Sequence, residues 1–218
     1  MTSSSTEGRL LGAALAAFVA LLGTSMLCYP GGDCFDASGT HYRFWQNFLC
    51  DLLLVQAMNG QANLDGSILA ALAAFLLMVF GLTPLWWRTR TWQNLTRIAG
   101  VLSTAFSLLM CAQVIFDLPI THAVVTLLFG GFGVIASFAV FLDSWRDPAT
   151  PATVAWTGTL ALASAIAGAI LYGCTKWGGV AAMHWLPGVQ KAVLSLSLLW
   201  LAAVASDLSS RTRSSRVA

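Results

Sequence analysis

"DGSILAALAAFLLMVFGLTPLWWR", Asp65 to Arg88, holds no charged residue between its two ends. A helix rises about 1.5 Å per residue, and about 20 apolar residues cross a hydrocarbon core of about 30 Å. The run is long enough. It does not alternate apolar and polar side chains with period two, as a barrel strand would. It therefore reads as a spanning helix.

The rest of the chain repeats this pattern. Charge-free gaps run from Arg9 to Asp33, Arg97 to Asp117, Asp117 to Asp143 (broken only by His122), Asp147 to Lys176 and Lys191 to Asp207. The gaps place six spans at about 9–28, 66–87, 97–117, 121–143, 152–174 and 185–206. Composition agrees: the 218 residues are 57% hydrophobic and 9% charged. A soluble domain carries about 25% charged residues. A chain this apolar cannot hide its surface from water, so its solvent is lipid. The expected fold class is all-α: a six-transmembrane-helix bundle forming a single integral membrane domain over 1–218. The first span, "RLLGAALAAFVALLGTSMLC", is expected to be a retained helix. Tyr29-Pro30 follows it where a signal peptide would end on small residues.

Lys and Arg set the orientation. With six spans both termini lie on one side, which collects Arg9, Arg88, Arg90, Arg97, Arg146, Arg211, Arg213 and Arg216; the other side collects Arg43, Lys176 and Lys191. The termini are therefore expected in the cytoplasm of a bacterial inner membrane, with a basic, disordered tail at 207–218. Trp86, Trp87, Trp92 and Trp145 fall at the inner interface, and Trp177 and Trp185 at the outer one. A net charge of +2 and the lack of a glycine-rich phosphate loop exclude nucleic acid and nucleotide as expected partners.

This topology sends one polar segment, 29–65, to the extracytoplasmic side. Its core is "YPGGDCFDASGTHYRFWQNFLCDLL", Tyr29 to Leu53. The first half is turn chemistry. From Arg43 to about Met58 the pattern fits a short helix, with Arg43, Asn47 and Asp51 on one face at i, i+4 and i+8. About fifteen residues give about 22 Å, too short to span, so an interfacial or re-entrant helix is expected. Asp51 then looks to another segment. Lys191, in an otherwise uncharged run, is its expected partner, with Asp117 as the alternative. The plainer reading of these groups is a solvated face or a structural ion pair, and of Lys191 a snorkelling side chain.

Arg43, Asn47, Asp51, Asp117, Gln190 and Lys191 form the candidate binding set, of which the basic and amide members Arg43, Asn47, Gln190 and Lys191 suit an anionic lipid head group. Asp51, His41 and Lys191 are the candidates for any catalysis. His41, His122 and His184 share the loop side, which raises a zinc site, since catalytic zinc takes three protein ligands and a water. No HxxxH, HExxH or paired-cysteine spacing supports it, and the sequence requires no cofactor. Five cysteines occur, and Cys28–Cys34 or Cys34–Cys50 are the candidate disulfides, with Cys174 a further option.

"YPGG", "NFLCDLL", "MNGQAN" and "LPGVQK" together resemble uncharacterised bacterial membrane proteins of the family called domain of unknown function 998. The resemblance implies six spans and no assigned activity. A second, weaker similarity is to the alkaline ceramidase superfamily, whose serine, histidine and aspartate are echoed by Ser38, His41 and Asp51. Its paired zinc histidines are not matched, since Gly188 stands four residues after His184. Three functions follow as expectations: recognition of a lipid head group or partner at the outer face, zinc-dependent hydrolysis of a lipid amide or ester, and small-molecule transport. Few polar residues lie within the spans (Gln113, Ser103, Ser107, Thr126 and Ser164), which speaks against the last.

Overall fold

The computed structural model describes residues 4–116, 122–178 and 184–214. Six helices long and apolar enough to cross a membrane follow one another. They are α1 (Ser4–Cys28), α2 (Leu64–Arg88), α3 (Gln93–Phe116), α4 (His122–Arg146), α5 (Ala152–Gly178) and α6 (Leu186–Ser214). No strand occurs among the described residues; Gln56 and Ala62 form one isolated bridge. The chain is a multi-pass helical bundle of the kind lipid requires.

One apolar core draws on every helix. Leu11 and Phe18 of α1 meet Leu77 and Trp86 of α2, Ala99 of α3, Val140 of α4, Val154 of α5 and Leu201 of α6. Large apolar side chains also cover the outside, among them Val19, Leu72, Ile98, Leu127, Leu160 and Leu199. An apolar core inside an apolar surface is the pattern of a protein solvated by lipid.

The start of α1 packs against the end of α6. A Cβ on Gly8 would stand 2.5 Å from the Ser209 hydroxyl, so only glycine lets these helices approach so closely. Both termini thus lie at one end of the bundle, the terminal end, and the segment 29–63 covers the other, the loop end. Helix α6 runs to Ser214, so the expected disordered tail is helical for most of its length. Ser209 and Ser210 donate to the carbonyls of Ala205 and Asp207 within it.

Helix α2 carries a wide π turn, Leu77–Leu82, just before Pro84. Proline has no N–H to give the preceding turn. The Thr83 hydroxyl donates back at 2.8 Å to the Met78 carbonyl, which also accepts the Thr83 N–H. Of the tryptophans expected at one interface, Trp87, Trp92 and Trp145 are exposed at the terminal end, but Trp86 is turned inward and is 1% exposed.

Candidate functional site

The stretch from Arg43 to Met58 is not the continuous helix its periodicity suggests. Residues 44–47 form turns, Leu49–Leu53 is a short 3-10 helix, and extended chain follows. Polar side chains bind the backbone in place of helical hydrogen bonds. The Asn47 amide oxygen accepts the Arg43 N–H at 2.8 Å. Its nitrogen donates to the Gly32 carbonyl at 2.6 Å and to the Asp51 carboxylate at 3.1 Å. Asp51 also accepts the Phe48 N–H at 2.8 Å. The i, i+4, i+8 spacing brings these residues together, but as a closed loop and not as a helix face.

Two further asparagines do similar work. Asn59 donates to the carbonyls of Pro30 and Gly39, and Asn63 to those of Leu52 and Leu54. Gly31, at φ +124°, passes so close to the chain at Gly39 that a Cβ would stand 2.2 Å from its carbonyl oxygen. No side chain fits there. Asp33 and Asp36 hold Arg43 at 2.6 and 3.0 Å, and Asp33 also accepts the N–H groups of Phe35 and Asp36.

Helix α6 is clamped onto this cap by two neighbouring residues. The Gln190 oxygen accepts the Leu49 N–H at 2.8 Å. Lys191, 3% exposed, donates to the Asn47 carbonyl, and its ammonium lies 5.5 Å from the Tyr42 ring and 5.6 Å from the Phe44 ring. The expected direct pair with Asp51 is absent from the ion pairs of the described residues. Lys191 instead reaches Asp51 through Asn47, because the carbonyl and the two rings already fill its reach. Asp51 is 2% exposed, and burial raises its carboxyl above the ordinary range, against the Asn47 amide, the Phe48 N–H and the Lys191 charge.

Other candidates do not gather. His41 is exposed beside Thr40, and His184 is exposed and stacked on Phe35 with ring centres 4.0 Å apart. Among the described residues no three metal-binding side chains come together. Asp117 and the side chain of His122 lie outside the described residues. Ser38 donates to its neighbour Asp36 at 2.6 Å, so Ser38, His41 and Asp51 form no catalytic set. Cys28, Cys34, Cys50 and Cys111 stand as free thiols, unpaired with one another in this structure; the Cys174 side chain lies outside the described residues. Cys34 is exposed on the cap, whereas Cys50 sits half-buried beneath it. Burial pushes the Cys50 thiol up to about 12, which leaves it protonated and unreactive.

Beneath the cap lies a feature the sequence does not reveal: a cavity of about 540 Å³. Leu49, Cys50, Leu53 and Gln190 roof it, and Trp86, Phe141, Gly158 and Trp200 lie toward the terminal end. On one side its wall is closed, by Ala70, Leu77, Met78, Ser103 and Met110, all buried. On the other, Val134 of α4 lines the cavity while 49% exposed. Helices α4 and α5 touch at the terminal end, through Trp145 on Trp156 and Phe141 beside Gly158. Val134 is the exposed member of the lining, so the wall it stands in is the least closed one.

The fold and site define a bundle of six helices, each long and apolar enough to cross a membrane, with an ordered polar cap over an internal apolar cavity. Compared with models of known families, with curated proteins and with solved structures, the chain matches none.

Proposed function

We propose that this protein binds a membrane lipid, inserting an apolar chain sideways into the cavity while the polar cap roofs it, and that it does so without catalysis. The carrying observation is that the cavity's roof is Leu49, Cys50 and Leu53, the same short helix that Asn47, Asp51, Gln190 and Lys191 hold in place. A volume of about 540 Å³ falls in the range of ligand sites, roughly 300–1,000 Å³. The candidate head-group residues act at one remove. Arg43 is held by Asp33 and Asp36, and Lys191 is enclosed, so they shape the roof, and Gln190 is the member of the set that lines the cavity.

The test is lipid content. Gly130 lines the cavity, and nothing stands within 4 Å of where its Cβ would be, so Gly130→Leu fills space without a clash. Native mass spectrometry of the wild type should show a bound lipid, and Gly130→Leu should lose at least about nine-tenths of it, consistent with the area a chain would otherwise bury. Equal lipid content in a folded variant would overturn the reading.

In the same proposal the loop end faces outward from a bacterial inner membrane, with both termini cytoplasmic. Cys34 is exposed on the cap. An impermeant maleimide should label it in intact cells and fail on Cys34→Ser; labelling only after lysis would reverse the orientation. The kinship with the domain of unknown function 998 family is proposed on cap residues and adds no activity.

A further inference from the structure

We infer that the lipid in the cavity is neutral along its buried length and carries a hydroxyl or carbonyl partway down, held by Ser137 of α4 and Ser197 of α6; this rests on the lipid-binding reading above. No charged side chain lines the cavity among the described residues. A charged group inserted there would find no counter-charge. Apart from the Cys50 thiol and the enclosed indole N–H groups of Trp86 and Trp200, the lining is apolar except for Gln190, Ser103, Ser137 and Ser197. Ser103 is already committed, donating to the Phe129 carbonyl at 2.9 Å.

Ser137 and Ser197 do not make the usual bond of a helical serine; Ser195 and Ser206 of α6 share this, but they are exposed and do not line the cavity. A helical serine ordinarily turns its hydroxyl back to a carbonyl one turn earlier. Ser144 does so to Val140 at 2.9 Å, and Ser209 to Ala205 at 2.8 Å. Neither Ser137 nor Ser197 has a hydrogen-bond partner among the described residues, and neither hydroxyl is among the sealed, unpartnered atoms. Both are open to the cavity they line. A hydroxyl in apolar surroundings without a partner is costly, and the cost is relieved when a ligand oxygen arrives.

The two residues also share a depth. Phe141 and Trp200 both abut Gly158, at 2.9 Å from where its Cβ would stand. Helices α4 and α6 both run from the loop end to the terminal end. Ser137 lies four residues before Phe141 and on the same face, about 6 Å nearer the roof. Ser197 lies three residues before Trp200, about 4.5 Å nearer the roof. Two hydroxyls therefore stand at one level on two walls of one cavity. Gln190 lies about 10 Å above them. Its oxygen is taken by the Leu49 N–H, which leaves its NH2 as the donor for a second ligand oxygen closer to the roof.

Methyl oleate and methyl ricinoleate test this, since they differ by one mid-chain hydroxyl. Binding of each is measured by native mass spectrometry on the full-length protein. Wild type should bind the ricinoleate about fivefold tighter. The double variant Ser137→Ala/Ser197→Ala should bind both esters equally, at the wild-type affinity for the oleate. Ser137→Thr/Ser197→Thr, which keeps the hydroxyls, should restore the preference; a merely structural effect of the alanines would not follow this pattern. Equal binding by wild type, or a preference that survives in the alanine variant, overturns the inference and leaves the lipid-binding reading standing. Failure of wild type to bind either ester overturns both.

Discussion

The two ends of the bundle solve the same problem with different chemistry. At the terminal end the turn after α2 is pinned by a carboxylate. Asp143 accepts the N–H of Arg90 at 2.6 Å, the N–H of Thr91 at 2.9 Å and the Thr91 hydroxyl, while Glu7 pairs with Arg88 at 2.9 Å. At the loop end the principal anchors are neutral amides: Asn47, Asn59 and Asn63. Burial differs as well. Arg88 and Arg90 stay exposed, so charge there is solvated cheaply, whereas the loop end buries its polar groups, the charged Asp33, Asp51 and Lys191 along with Asn47 and Asn63. There an amide satisfies a carbonyl and an N–H at once, and Asn47 also donates to the buried Asp51 carboxylate. Polarity at the loop end is thus chiefly structural, and what it builds is a roof.

The strongest way to break this contrast is at the loop end itself. Gly31→Ala should cost about 3 kcal/mol or more, since a Cβ meets a carbonyl in a backbone conformation that disfavours it. Thermal unfolding in detergent should show the loss, together with rapid proteolysis within 29–63. Asn47→Ala should follow at about 3 kcal/mol, because three hydrogen bonds go and buried groups are left unpaired. It should also lower lipid retention, as the roof loosens. Asp143→Ala, at the other end, should cost about 2 kcal/mol and leave lipid content unchanged. An equal effect of both variants on lipid content would erase the proposed division of labour.

Acid sharpens the comparison through sign. The Asp51 carboxyl is raised by burial. Its contribution to cap stability is complete below its unfolded value, about pH 4, and is lost as pH rises through the raised folded value. Asp36, held down chiefly by the Ser38 hydroxyl, has the opposite sign: its contribution is present above about pH 4 and is lost as pH falls. Hydrogen exchange of the cap against pH should show a downward slope above about pH 4 that Asp51→Asn removes, since asparagine keeps an acceptor oxygen. The smallest effect is expected from Glu7→Gln, about 0.5 kcal/mol or less and weaker still in salt.

The spans were legible because lipid imposes one demand, a long run without charge, and Asp65 to Arg88 meets it in plain sight. The cap was legible as a location but not as a shape. Arg43, Asn47 and Asp51 fit a helix face, and the same spacing fits side chains that close a loop on its own backbone; periodicity cannot separate the two. Asn59 and Asn63 were in view within "MNGQAN", without a signal that they reach Pro30 and Leu54 across the loop. Lys191 was singled out correctly as an unusual residue in a span, but its acceptor is a carbonyl, and backbone atoms carry no sequence signature. The cavity left no trace at all. It is a place where side chains are missing, and Ser137 and Ser197 look in the sequence like any other helical serine.

The π turn in α2 sets the rotational phase of that helix. Ala70, Ala74, Leu77, Met78, Leu82 and Trp86 all line the cavity. An ordinary helix turns about 100° per residue, so the sixteen steps from Ala70 to Trp86 would leave Trp86 about 160° away from Ala70, on the far side. The wide turn at Leu77–Leu82 takes much of that rotation back. Cavity and outer surface are thereby addressed by one helix in two phases: Trp86 is brought inside, and its neighbour Trp87 is left exposed on the outside of the bundle. Removing one residue there, so that the helix closes to ordinary turns over fifteen steps, would leave Trp86 about 60° from Ala70 and still inside, whereas ordinary turns at full length would carry it to the far side.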